Sequence, residues 1–117
     1  LDIESFRHHC LGKKGVSEEF PFGEETLVFK VMGKMFALTD ITDFTSINLK
    51  VDPEHAVELQ EQYPAVTPGY HMNKKHWITV LMDGSVPDSL VKQWINNSYD
   101  LVVAGLTKRE KSTLESM

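Results

Sequence analysis

The sequence predicts one compact α+β domain of order α-β(3)-α-β(2)-α, an antiparallel sheet packed against helices. Three observations carry that expectation. Several short segments alternate apolar and polar residues with the period of a strand. One long segment near the C-terminus repeats apolar residues every four positions. A length of 117 residues suits a single core, so residues 1–117 are read as one domain with a frayed end around 108–117.

Asp2 carries the oxygen to cap a first helix, in which Ile3, Phe6 and Cys10 share a stripe and Lys13-Lys14-Gly15 marks the end. Residues 17–25 read as a loop, its four glutamates solvated and Phe20 and Phe22 turned inward. In residues 26–31, Leu27, Phe29 and Val31 face one way and Val28 and Lys30 the other. A tight Met32-Gly33 turn returns the chain through 34–39, and 46–51 makes a third strand with Ile47, Leu49 and Val51 inward. Asp52-Pro53-Glu54 is a helix start, because it combines a capping oxygen, proline in the first turn and a carboxylate at the positive end of the dipole. Ala56, Leu59 and Tyr63 form the buried side of that helix, and Pro64 stops it. After the Thr67-Pro68-Gly69 turn come a short strand at 70–72 and a clear one at 76–81.

The last long helix is expected to open on a Ser85/Asp88 capping box. Its band of Leu90, Trp94, Ser98, Val102 and Leu106, beside Val91, Ile95, Tyr99 and Val103, must lie across a sheet or a partner. Gly105 ends it, and Thr107 with Glu110 is spaced to cap a final short turn or helix.

Composition narrows the function classes. With 41% hydrophobic and 25% charged residues the chain reads as an ordinary globule, not a disordered tail. Cys10 is the single cysteine, so no internal disulfide forms, which suits a reducing cytosol. No apolar run reaches the roughly 18 residues of a membrane helix, and the secretory pattern is missing. A cytoplasmic location, no membrane partner and a monomeric state are expected. The net charge of −5 argues against a sequence-blind grip on polyanions over the whole surface, while leaving room for a local basic patch.

Motifs for catalysis are few. His9 adjoins Cys10, but helical geometry turns the thiol into the core with Phe6. His71 and His76 stand five apart across a turn without the short ligand spacing of a zinc site. The pairs Glu18-Glu19, Glu24-Glu25 and Asp40/Asp43 read as solvated loop charges. Neither a phosphate-cradling glycine loop nor a nucleophile elbow occurs. No catalytic residue, metal site or cofactor is assigned, and the chain is expected to be no enzyme.

The cations are the more informative set. Lys30 and Lys34 flank the Met32-Gly33 turn, and Lys50 faces outward from the next strand. Tyr70, His71, Lys74, Lys75 and His76 surround a second turn, just before Trp77. Two lysine-bearing turns on one small sheet could straddle a polyanion, or could simply keep sheet edges soluble. Four phosphate contacts would give a salt slope of about −3.6.

Three segments together resemble the MmcQ/YjbR family of small bacterial proteins. They are residues 29–37 (FKVMGKMFA), residues 49–54 (LKVDPE), and residues 68–80 (PGYHMNKKHWITV) followed by Ser98-Tyr99-Asp100-Leu101-Val102. The resemblance spans nearly the whole chain. It implies a fold like that of secretion chaperones, and DNA binding through a double-wing motif. The wings would correspond to the Lys30–Lys34 hairpin and the Lys74-Lys75 turn. It implies no catalytic residue. Three readings are open: a DNA-binding module, regulatory in role, contacting phosphate through Lys30, Lys34, Lys50, Lys74 and Lys75; a protein- or peptide-binding module; and a small-molecule binder or enzyme using a cleft near His71, His76 and the acidic loop.

Overall fold

The computed structural model describes residues 1–69 and 73–117. Tyr70, His71 and the strand expected at 70–72 lie outside the described residues. The order is α1 (Ile3–Leu11), β1 (Val16–Glu19), β2 (Thr26–Val31), β3 (Lys34–Asp40), β4 (Ser46–Lys50), α2 (Pro53–Gln62), β5 (Val66–Pro68), β6 (Trp77–Leu81), α3 (Asp88–Ala104) and α4 (Lys108–Glu115). The strands form one antiparallel sheet in the order β1-β2-β3-β4-β6-β5. This is the expected α+β architecture, with an edge strand and a terminal helix added, and with Thr67 and Pro68, expected in a turn, paired as part of β5 against Thr79 and Ile78.

One sheet face is the core side. Leu27, Phe29 and Val31 of β2, Ile47 and Leu49 of β4, and Ile78 and Val80 of β6 pack there against Phe6, Leu59, Val91 and Ile95 of the helices. Phe6 meets Phe29 edge-on at 5.5 Å between ring centres. Among the described residues the other face carries no helix across its middle. It holds a small apolar cluster of Val28, Leu38 and Trp77, with Met35 packed beside it.

Three local expectations are corrected. Residues 16–19 are an edge strand, not loop, because their backbone pairs with β2 from Val16↔Val31 to Glu19↔Val28. Phe20 and Phe22 do not turn inward. They are 48% and 63% exposed, since the chain leaves the sheet edge immediately after Glu19. The Ser85/Asp88 capping box does not form. Pro87 occupies the cap position of α3, and Ser85 donates instead to Asp83 at 2.6 Å, the nearer acceptor in the turn at Gly84. The Thr107/Glu110 box, by contrast, is made in both directions and starts α4.

The β2–β3 ladder contains one irregularity. Phe29 pairs with Ala37 but Lys30 pairs with Met35, so Phe36 is an extra residue in β3. This bulge lets Phe36 and Ala37 both join the core. The β2–β3 turn carries positive φ at Met32 (50°) and Gly33 (77°), the hand that matches strand twist.

Candidate nucleic-acid interface

The register brings the basic turns to one end of the sheet. β2 ends at Val31 beside the Met32-Gly33 turn, β4 ends at Lys50, and β6, antiparallel to β4, begins at Trp77 opposite Lys50. The Lys74-Lys75 turn therefore leaves the sheet at the end where the β2–β3 hairpin turns. It is fastened there: the Val51 amide donates to the His76 carbonyl at 2.8 Å, and Asn73 Oδ1 accepts from the Lys75 amide at 3.0 Å.

Lys30 and Lys50 on the helix-free face, with Lys34 at the hairpin rim, border an open depression of about 510 Å³. Lys34 pairs with Val31 of the core face, and its ammonium reaches Glu110 of α4. Met35 and Trp77 line it, with Gly33 at the hairpin tip and Pro21 and Phe22 reaching in from the loop after β1. Alternation explains the grouping. Lys30 shares its face with Val28, Lys50 shares its face with Asn48, and each is displaced by one residue from a core side chain. Trp77 is 8% exposed, whereas Phe22 stands largely in water. Lys74, Lys75 and His76 are exposed on the neighbouring turn and do not line the depression.

Carboxylates partly offset this charge. Glu19 on β1 accepts from Lys30 at 3.3 Å, and Glu110 on α4 accepts from Lys34 at 3.4 Å. Among the described residues Lys50, Lys74 and Lys75 make no ion pair. Glu110 is doubly engaged, since its other oxygen caps the Thr107 amide at 2.9 Å. Its carboxyl is held below the ordinary value of 4.5, first by the backbone hydrogen bond with Thr107 and further by Lys34. A depressed carboxyl stabilises the fold above its unfolded pKa, and that contribution disappears as pH falls through the folded one. Glu110→Gln is thus expected to lower the melting temperature at neutral pH. The gap to the unsubstituted protein should close on acidification below 4.5. A gap independent of pH in thermal melts would contradict the assignment.

The remaining chemistry-bearing residues have structural roles. Cys10 is fully buried, and burial pushes its thiol up to about 12, so it stays protonated. His9 turns away from it to meet Asn96 Oδ1 on α3 at 2.8 Å. Glu18 is held below the ordinary carboxylate value by its hydrogen bonds from Arg7, which tie β1 to α1. Among the described residues no three His, Cys, Asp or Glu side chains gather as a metal cluster. No helix among them is long and apolar enough to cross a membrane. A second cleft of about 140 Å³ lies between α2 and α3, lined by His55, Leu59, Trp94 and Asn97. His76 lines neither cleft.

Phe22 is the site residue that sequence reasoning missed. Its neighbour proline and the run of glutamates around it were the available signal that the segment stays at the surface.

The YjbR family model matches residues 11–101. The chain is 46% identical over 93 residues to the uncharacterized protein YbdF of Escherichia coli O157:H7, covering 79% of this chain and 76% of that one. It is 30% identical over 115 residues to the uncharacterized protein YjbR of Escherichia coli K12, covering 97% and 98%. Among solved structures, the Deinococcus radiodurans protein DR2400, with the family-model domain DUF419, superposes with a TM-score of 0.90 at 46% identity over 97% of this chain and 88% of that one. A Pseudomonas syringae protein superposes with a TM-score of 0.74 at 29% identity, over 86% and 98%.

Proposed function

The chain belongs to the YjbR family, and from that premise we propose that it is a DNA-binding module that acts by contact and not by catalysis. The observation that carries this reading is the convergence of Lys30 and Lys50, with Lys34 at the rim, on one open, aromatic-bordered depression, with Lys74 and Lys75 exposed at the same sheet end. Ammonium groups gathered at one end of the sheet would orient a polyanion on a molecule whose net charge is −5. Lys50, Lys74 and Lys75, which carry no carboxylate partner among the described residues, are the phosphate contacts of first rank. Lys30 and Lys34 would have to leave Glu19 and Glu110 to join them.

Three phosphate contacts give a salt slope of about −2.7 on duplex, so affinity falls roughly 40-fold between about 50 and 200 mM salt. Anisotropy titration of labelled DNA across that range measures the slope. Lys50→Glu and the double variant Lys74→Glu/Lys75→Glu are each expected to weaken binding at least about tenfold at the lowest salt and to flatten the slope. Binding that ignores all three substitutions, or no binding at tens of micromolar, would remove the proposal.

A second reading, a peptide-binding module, is favoured by β1. It is an edge strand with an unpaired side, followed by the exposed rings of Phe20 and Phe22. Recovery of a stoichiometric protein partner whose binding is lost in Phe20→Ser and unchanged in Lys50→Glu would select that reading.

A further inference from the structure

We infer that the depression on the helix-free face takes single-stranded nucleic acid, with a base stacked on Phe22, in preference to duplex. This rests on the reading of the site as a nucleic-acid interface and specifies its ligand.

Phe22 is the first observation. The residue is 63% exposed, yet it lines the same depression as Lys30, Lys34 and Lys50. A ring in water beside ammonium groups has the two elements of a single-strand platform, a π-face for a base and cations for the backbone on either side. Trp77 and Met35 add an apolar floor. Bases inside a duplex hide their faces in the stack and offer only edges, so neither the ring nor the floor would be used there.

The turns are the second observation. Reading a duplex through its major groove calls for an element that stands clear of the body and enters a groove about 12 Å wide. The β2–β3 turn has only Met32 and Gly33 between its strands, and Lys34 beside it is held by Glu110 of α4. The 73–76 turn is bonded back to Val51 at the end of β4. Among the described residues neither turn stands free as a ribbon. The surface offered is a recess, and a recess suits a flexible strand that can splay a base into it.

The test uses the full chain and three labelled probes at about 50 mM salt: an oligothymidine of about twelve nucleotides, the matching oligouridine, and a duplex of the same length. At least one single strand is expected to bind about tenfold or more tightly than the duplex. The tighter of the two tells a DNA-type from an RNA-type strand as the ligand. Phe22→Ala should weaken single-strand binding by about 5- to 100-fold, with Phe22→Trp restoring it and duplex binding little changed. Phe22 is exposed, so these variants leave the core intact. Duplex binding as tight as the tighter single strand, or single-strand binding indifferent to Phe22→Ala, would overturn this inference and leave the DNA-binding proposal standing. Failure of all three probes to bind would overturn both.

Discussion

Ser98→Ala is expected to destabilise the fold by about 2–4 kcal/mol, because one hydroxyl completes the sheet where two strands part. The β3–β4 ladder runs through Thr39↔Ile47, Leu38↔Asn48 and Ala37↔Leu49, and its next rung would join Phe36 to Lys50. The bulge at Phe36 prevents that rung. Ser98, fully buried on α3, takes its place: its Oγ donates to the Phe36 carbonyl at 2.5 Å and accepts from the Lys50 amide at 2.9 Å. Removing the oxygen leaves a carbonyl and an amide unpaired in the interior, each at a cost of about 1–3 kcal/mol. At this chain length the melting temperature should fall by roughly 10 °C. Lys50 depends on the same amide for its position, so under the proposed DNA-binding role affinity should fall even where the variant is folded. Urea denaturation of Ser98→Ala and Ser98→Thr separates the terms, since threonine keeps the oxygen and adds only a methyl. Equal stability of Ser98→Ala and the unsubstituted protein would show that water replaces the hydroxyl and that the bridge contributes nothing.

Gly69→Ala is expected to cost about 1–3 kcal/mol and to disturb the depression directly. The Gly69 amide donates to the Trp77 carbonyl at 2.9 Å, which draws the two backbones together at the end of β5 and β6. A methyl group at residue 69 would stand 2.7 Å from Trp77 Cβ and 3.0 Å from its carbonyl oxygen. Neither atom is the tip of a flexible side chain, so the strands must separate or the indole must tilt. Gly33→Ala is the matching control. It has open space around the added carbon, and its cost comes only from a φ of +77°, about 1 kcal/mol. Chemical denaturation should rank Gly69→Ala as the more damaging. Tryptophan emission should shift in Gly69→Ala and stay fixed in Gly33→Ala. The reverse order would mean that the β5–β6 contact yields easily and that Trp77 is not held by it.

Most of the fold was legible in the residues. The strands at 26–31 and 46–51, the helix opened by Asp52-Pro53, and the apolar band of α3 all follow from spacing, and the structure repeats them almost residue for residue, with β4 ending one residue earlier, at Lys50. β1 was not legible. Val16-Ser17-Glu18-Glu19 has too few apolar residues to alternate, and it is a strand only because β2 offers it a free edge. The bulge at Phe36 left no glycine or proline as a mark. The band of α3 showed a serine among apolar residues, but its use depends on a bulge in another element.

The candidate site divides the same way. That Lys30 and Lys50 face away from the core was readable from alternation, and the antiparallel order places Lys34, Lys74 and Lys75 at the same sheet end. That Glu19 meets Lys30 and Glu110 meets Lys34 was not readable. These partners lie 11 and 76 residues apart in the chain and are joined by an unforeseen strand and a terminal helix.

By itself the sequence determined the type of nearly every element and the direction in which its side chains point. Backbone periodicity is a local property, set by neighbours a few residues away. Only the tertiary structure decided which lysines are neutralised, which ring stays in water, and which hydroxyl closes the sheet. Ion pairs and hydrogen bonds act over a few ångströms, so they depend on which distant segments packing brings into contact.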